Sequence, residues 1–317
     1  MTIPIIIVAF GTTTHARKTY AFMNQRVKER FADHEIRWAF SSRMVKQHAK
    51  KCSAHSIKNS KNQLEENIKS SMSEANAQTA VTSNIQSPAE VLKELYEQGH
   101  SWAMVQSLHI INAHELYRLV DEVKTVPIRT SIGLPLLTSY SDYSYLADAM
   151  IFIYKSHILE KEAVVFVGHG TDHPSWSSYL AFESILRNKL STSLISDYSL
   201  NNGAKYNLNQ EDSLNQAEPY QNRIFMGLIE GEPEQSEIIE AVIKSGVKKV
   251  YLVPFTLVAG VHFKEDIAGS EESWKSAFED AGLSVEIEQQ GIGYQEAVID
   301  IFMDHIQDAL SVIPEQR

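Results

Sequence analysis

"VVFVGHGTDHPSW" runs from Val164 to Trp176, and its reading decides the fold. The Val164–Val167 run is short and β-branched, so it reads as a buried strand rather than a helix. Gly168 and Gly170 leave the backbone free to turn and let another group come close. Asp172, Pro174 and Ser175 carry helix-start chemistry. His169 then stands at the carboxyl end of a parallel strand, just before a helix, where open α/β sheets bind ligands. Taken alone, a histidine that merely closes a turn remains the plainer alternative.

The pattern is written twice. "IIIVAFGTTTHA" (5–16) matches "VVFVGHGTDHPS" (164–175), each a strand, a Gly-Thr turn and a helix start. Amphipathic segments follow at Tyr20–Phe31 and Tyr179–Leu190, then second strands in "EIRWAFSS" (35–42) and "RIFMGLIEGEP" (223–233). Residues 88–115 and 235–263 each give a helix with i, i+3, i+4 apolar spacing, a terminal glycine (Gly99, Gly246) and a third strand. A fourth strand and a last helix close each half. Two similar α/β lobes are expected, each a parallel sheet wrapped by helices, with a ligand cleft between them. The linear boundary falls near residues 156–162, giving lobes 1–158 and 159–317. Two polar stretches, about 53–87 and 191–222, read as insertions, the second as an aperiodic loop.

Composition narrows the function. The 317 residues are 43% hydrophobic and 22% charged, as in an ordinary globular protein. A net charge of −11 argues against nucleic acid and against a basic membrane-surface role. Cys52 is the single cysteine, so neither an intrachain disulfide nor a cysteine metal cage is available, and imidazole becomes the soft ligand of choice. The amino-terminal apolar run lacks a basic flank and is too short for a signal peptide or a span, so a cytoplasmic protein is expected.

Three strand ends of the second half carry metal-ligand chemistry. The first ends at His169, the second at Glu230, and the third runs through Pro254 and Thr256 to His262. Neighbouring parallel strands lie about 4.8 Å apart, so groups on their ends can converge. Two imidazoles and a carboxylate suit a divalent first-row metal while leaving positions for a substrate. In the first half Phe10 replaces His169, and Phe40 or Ser41 stands where Glu230 does. Only His114 matches, aligning with His262, and Glu115 follows it toward the same cleft. His109, inside "SLHII", reads as a satisfied buried histidine.

With these residues in view, the chain resembles a known family. "SLHIIN" (107–112), "GLPLL" (133–137), "VVFVGHGT" (164–171) and "LVPFTLVAGVH" (252–262), with the "DIAG" and "SWK" that follow, resemble the anaerobic-type cobalt chelatases (sirohydrochlorin cobaltochelatases). The resemblance implies a two-lobed chelatase fold and an ATP-independent lyase without an organic cofactor. That enzyme would insert Co²⁺ into sirohydrochlorin, or a closely related precorrin, on the early-cobalt route to cobalamin. It carries over metal ligation to His169, Glu230 and His262, and proton acceptance to His169 and Glu115. A polycarboxylate ring needs local donors on an acidic protein; Gly11, Thr12, Ser42, Arg43 and His114 are the expected contacts. Nickel or iron insertion by the same machinery, and a carrier of metal or tetrapyrrole without turnover, stay open as alternatives. Among partners, a homo-oligomer is also left open.

Overall fold

The computed structural model describes residues 2–11, 17–41, 86–201 and 220–314. Among them the chain runs β1 Ile5–Ala9, α1 Arg17–Arg30, β2 Ile36–Phe40, α2 Pro88–Glu97, β3 Trp102–Ser107, α3 His114–Val123, β4 Arg129–Gly133 and α4 Tyr140–Leu159. The second half continues with β5 Ala163–Gly170, a 3₁₀ turn at Pro174–Trp176, α5 Ser177–Asn201, β6 Ile224–Glu230 and α6 Gln235–Lys244. Then come β7 Lys249–Pro254, a π-turn at Phe263–Ile267, α7 Trp274–Asp280, β8 Ser284–Ile287, a 3₁₀ turn at Ile292–Tyr294 and α8 Glu296–Ser311.

The duplication is real at the level of topology. One sheet has the order β2-β1-β3-β4 and the other β6-β5-β7-β8, all parallel. The first strand of each half lies inside its sheet, flanked by the second and third. That explains why its sequence is apolar without alternation: both faces are covered. Ile5 through Ala9 are all buried, as are Val164 through Val167. In the second sheet Val165 and Val167 pack with Val242, Trp274 and Phe278. Phe166 turns to the opposite face, where its ring meets Tyr154 edge-on at 5.5 Å and Phe255 at 6.0 Å. Fully burying a side chain of this size contributes about 1.5–3 kcal/mol.

Local signals start the helices where the sequence places them. Ser87 caps α2 in a reciprocal capping box with Glu90, with Pro88 in the first turn; Ser139 and Asp142 do the same for α4. Gln86 and Ser87 therefore belong to the start of α2, and residues 53–85 lie outside the described residues.

Two expectations need correction. The compact units are Met1–Leu136 with Gly293–Arg317, and Leu137–Ile292, rather than a linear division at 158/159. The last helix of each half is exchanged. α4 packs on α5 and β5 in the second unit, whereas α8 packs on α1, β3 and β4 in the first. Leu146, Met150, Ile151, Tyr154 and Ile158 bury the inner face of α4, and Lys189 Nζ reaches Asp148 at 2.6 Å. In the first unit Arg26 holds Glu296 of α8 at 2.8 Å.

The second correction concerns the expected loop at 191–222. α5 continues unbroken to Asn201, well past Leu190. Ser191 is buried, and its hydroxyl donates to the Arg187 carbonyl at 3.2 Å and accepts from Gln221 Nε2. Back-bonding to the preceding turn lets a serine stay in a helix despite low propensity. Residues 202–219 lie outside the described residues. No helix among the described residues is long and apolar enough to cross a membrane.

Candidate functional site

His169 is half-buried near the end of β5, and each flanking glycine has a steric reason. A Cβ on Gly168 would stand 2.7 Å from Cε1 of Tyr179, which packs over the strand end from α5. Gly170 has φ +82°, and a Cβ there would meet the Glu230 carbonyl oxygen at 1.8 Å. The chain thus turns left-handed immediately after His169 while pressed against β6, which only glycine allows. Beyond the turn, His173 rather than Asp172 caps the 3₁₀ turn, its Nδ1 accepting from the Ser175 amide at 3.2 Å.

His262 comes from the segment after β7. It precedes the π-turn, in which the Ala268 amide donates to the Phe263 carbonyl at 2.8 Å. The His169 and His262 rings meet edge-on, 4.7 Å between centroids at 85°. The His169 Nδ1 lies 3.3 Å from the Gly170 carbonyl, and the His262 Nδ1 lies 2.8 Å from Asp266 Oδ2. A carbonyl and a carboxylate can only accept, so each Nδ1 carries a proton, and in the neutral ring Nε2 is the nitrogen that keeps its lone pair. Two adjacent imidazoles presenting Nε2 lone pairs form the start of a transition-metal site.

Glu230 stands differently. It is exposed and registers with Gly170, one residue out of phase with His169. Side chains alternate faces along a strand, so the level neighbour of His169 would be Ile229. Among the described residues, no three His, Cys, Asp or Glu side chains are grouped to hold a metal ion. The structure therefore brings His169 and His262 together and leaves Glu230 on the next strand end, beside them but apart.

In the first unit Glu115 occupies the first turn of α3, half-buried, with Arg118 Nη1 3.5 Å from its Oε1; His114 begins the same helix. An acidic first turn is where a helix favours negative charge. His109 lies two residues beyond the end of β3, not within it. Its Nδ1 is 2.8 Å from the Ser107 hydroxyl, and its Nε2 is buried without a partner, so the expected full satisfaction is only half met. Burial pushes this imidazole down to about 4, opposed by the charge of Glu115. Gly11, two residues after β1, has φ +100°, and its backbone hydrogen bonds to the buried Tyr20 hydroxyl. Thr12, Ser42 and Arg43 lie outside the described residues.

One participant escaped sequence reasoning. Asp266 lies four residues after His262, the spacing at which helical side chains meet, and that spacing could have found it.

The model of one protein family, cobalt chelatase (CbiK), matches residues 4–197 and 201–311. The chain belongs to that family. The sirohydrochlorin cobaltochelatase CbiKC of Nitratidesulfovibrio vulgaris is 27% identical over 318 residues, covering 98% of this chain and 92% of that one. The sirohydrochlorin cobaltochelatase of Salmonella typhimurium is 30% identical over 237 residues, covering 74% and 78%. Among solved structures, SirB from Bacillus subtilis with Fe³⁺ superposes with a TM-score of 0.55 at 15% identity, covering 98% of this chain and 96% of that one. The sirohydrochlorin chelatase SirB of subspecies spizizenii, in complex with cobalt, gives 0.54 at 14%, with the same coverage. These structural likenesses show that the fold is that of sirohydrochlorin chelatases.

Proposed function

We propose that this protein inserts Co²⁺ into sirohydrochlorin without ATP, as a lyase of anaerobic cobalamin biosynthesis. Family membership across nearly the whole chain supports the reaction class. The observation that carries the chemistry is the His169–His262 pair, edge-on at 4.7 Å, with an acceptor at each Nδ1 that makes Nε2 the ligating atom of the neutral ring. Metallation replaces two pyrrole N–H protons by one divalent ion and strips water from that ion. A site doing this must hold the metal weakly enough to release it, and two imidazoles with open positions meet that requirement better than a closed four-ligand cage.

In this reading the metal is received by His169 and His262, and the exposed Glu230 swings in by a rotamer change as the third ligand. His169 accepts a pyrrole proton once the metal has passed to the ring, because one lone pair cannot hold both at once. Glu115 is the acceptor for the second proton. Gly11, Thr12, Ser42, Arg43 and His114 are proposed donors to the ring carboxylates. The protein works in the cytoplasm and requires no organic cofactor.

The test is anaerobic, spectrally monitored insertion into sirohydrochlorin with Co²⁺, Ni²⁺ and Fe²⁺ compared side by side, for wild type and His169→Ala. Catalysed insertion fastest with Co²⁺, and lost in a folded His169→Ala variant, is the expected result. Wild-type rates in that variant would overturn the assignment of His169. Tight ring binding with no rate above the uncatalysed one would make the protein a carrier.

A further inference from the structure

We infer that Asp266 is a positioning residue for His262: its carboxylate fixes the ring so that Nε2, and not Nδ1, is offered to the metal. The inference rests on the metal-receiving role of His262 proposed above. Its geometric basis is the 2.8 Å contact between His262 Nδ1 and Asp266 Oδ2. An ionised carboxylate has only acceptor oxygens, so the Nδ1 proton is held in that bond. A histidine left to water exchanges tautomers, and the tautomer with Nε2–H cannot ligate through Nε2. Carboxylate partners behind metal-binding histidines fix both tautomer and ring orientation.

Three further features fit this role. The local backbone is a π-turn, a rare conformation often found at functional sites, and it carries Asp266 on the turn that follows His262. His169 meets the same ring edge-on at 4.7 Å, so the imidazole has a second neighbour besides Asp266. Both members of the pair are substantially exposed, at 50% for His262 and 36% for Asp266. An exposed polar contact of this kind contributes little to folding. Loss of Asp266 should therefore leave the fold intact, and whatever it changes is read at the metal.

The experiment uses the full chain with Co²⁺ alone. In the metal-free protein, ¹⁵N–¹H NMR of the His262 ring should show a protonated Nδ1 and an unprotonated Nε2. Asp266→Ala should shift the ring toward Nε2–H and lower Co²⁺ affinity by about 10–100-fold at unchanged melting temperature. Asp266→Asn keeps an oxygen acceptor without the charge, so it should retain the tautomer and lose less affinity than alanine. In a His262→Ala background, Asp266→Ala should have no further effect. An unchanged tautomer in Asp266→Ala, equal losses in Asn and Ala variants, or a persisting effect in the His262→Ala background would overturn the inference; the last would make Asp266 a ligand itself. Should Asp266→Ala fail to fold, the asparagine variant and the wild-type ring spectrum still decide. If His262→Ala alone leaves Co²⁺ binding intact, the metal-site reading fails, while the tautomer measurement stands separately.

Discussion

Gly170→Ala should damage both stability and insertion, because the backbone that aims His169 depends on the missing side chain. Gly170 has φ +82°, and an added Cβ would sit 1.8 Å from the Glu230 oxygen and 2.8 Å from its carbonyl carbon. Left-handed backbone costs an alanine about 1–2 kcal/mol. The clash is with main chain paired in the ladder, so no rotamer relieves it, and forced repacking adds about 1–3 kcal/mol. Alanine returns about 0.4–1 kcal/mol by stiffening the unfolded chain. The net loss is about 2–4 kcal/mol, a large share of the roughly 5–15 kcal/mol of a whole domain. Gly246 is the control: its φ is +78°, and an added Cβ there would have nothing within 4 Å. Gly246→Ala should therefore lose about 1 kcal/mol and keep full activity. Urea denaturation of both variants, with Co²⁺ insertion measured in each, gives the comparison. Losses equal within about 0.5 kcal/mol, or wild-type insertion by Gly170→Ala, would refute the argument that contact with β6 sets the turn.

Two further outcomes are expected. His109 is held neutral by burial, down to about 4, against an ordinary value near 6.5. As pH falls from about 6.5 toward 4, the unfolded chain binds a proton that the folded chain refuses, so stability present at neutral pH is lost across that window, by up to about 3 kcal/mol. Urea melts at pH 7 and pH 4.5 should show a smaller drop for His109→Gln; identical drops would remove His109 as the cause. Glu230→Gln should weaken Co²⁺ binding by about tenfold or more in calorimetry, or about 1.4 kcal/mol. Unchanged affinity would leave the two imidazoles without that carboxylate.

Much of the fold is legible because buried parallel strands announce themselves. Apolar runs at 5–9 and 163–167, each with a glycine within two residues of its end, mark the inner strand of each sheet, and the repeat transfers one strand order to the other. The exchange of α4 and α8 is not legible, because an amphipathic pattern says which helix face is apolar but not which sheet it will cover. The pairing of His169 with His262 follows from strand-end logic. The phase of Glu230 does not, since a shift of one residue in register reverses the face and spacing does not fix register. The continuation of α5 through Ser191 is hidden by serine-rich composition, which tertiary burial and hydroxyl back-bonding override.

The two halves differ at the positions proposed to receive the metal. A glycine in the left-handed region stands two residues after β1, Gly11 at φ +100°, and at the last position of β5, Gly170 at φ +82°. The left-handed glycine is common to both, and the residue before it differs: Phe10, 51% exposed, against His169. An exposed phenylalanine at that turn shows that the backbone does not require an imidazole there. The second imidazole follows the same logic. His114 is the counterpart of His262 in the repeat, and four residues on from each stand Arg118 and Asp266. Asp266 accepts the Nδ1 proton of His262, whereas a guanidinium has no lone pair to offer His114 and instead stands 3.5 Å from Glu115. The first unit thus keeps a carboxylate beside a cation at its helix start, and the second keeps two oriented imidazoles. Arginine at 266 removes the acceptor at Nδ1 and sets a positive charge beside the ring, so Asp266→Arg should lose Co²⁺ affinity at least as far as Asp266→Ala. An arginine variant that binds Co²⁺ like wild type would show that the acceptor behind the ring is dispensable.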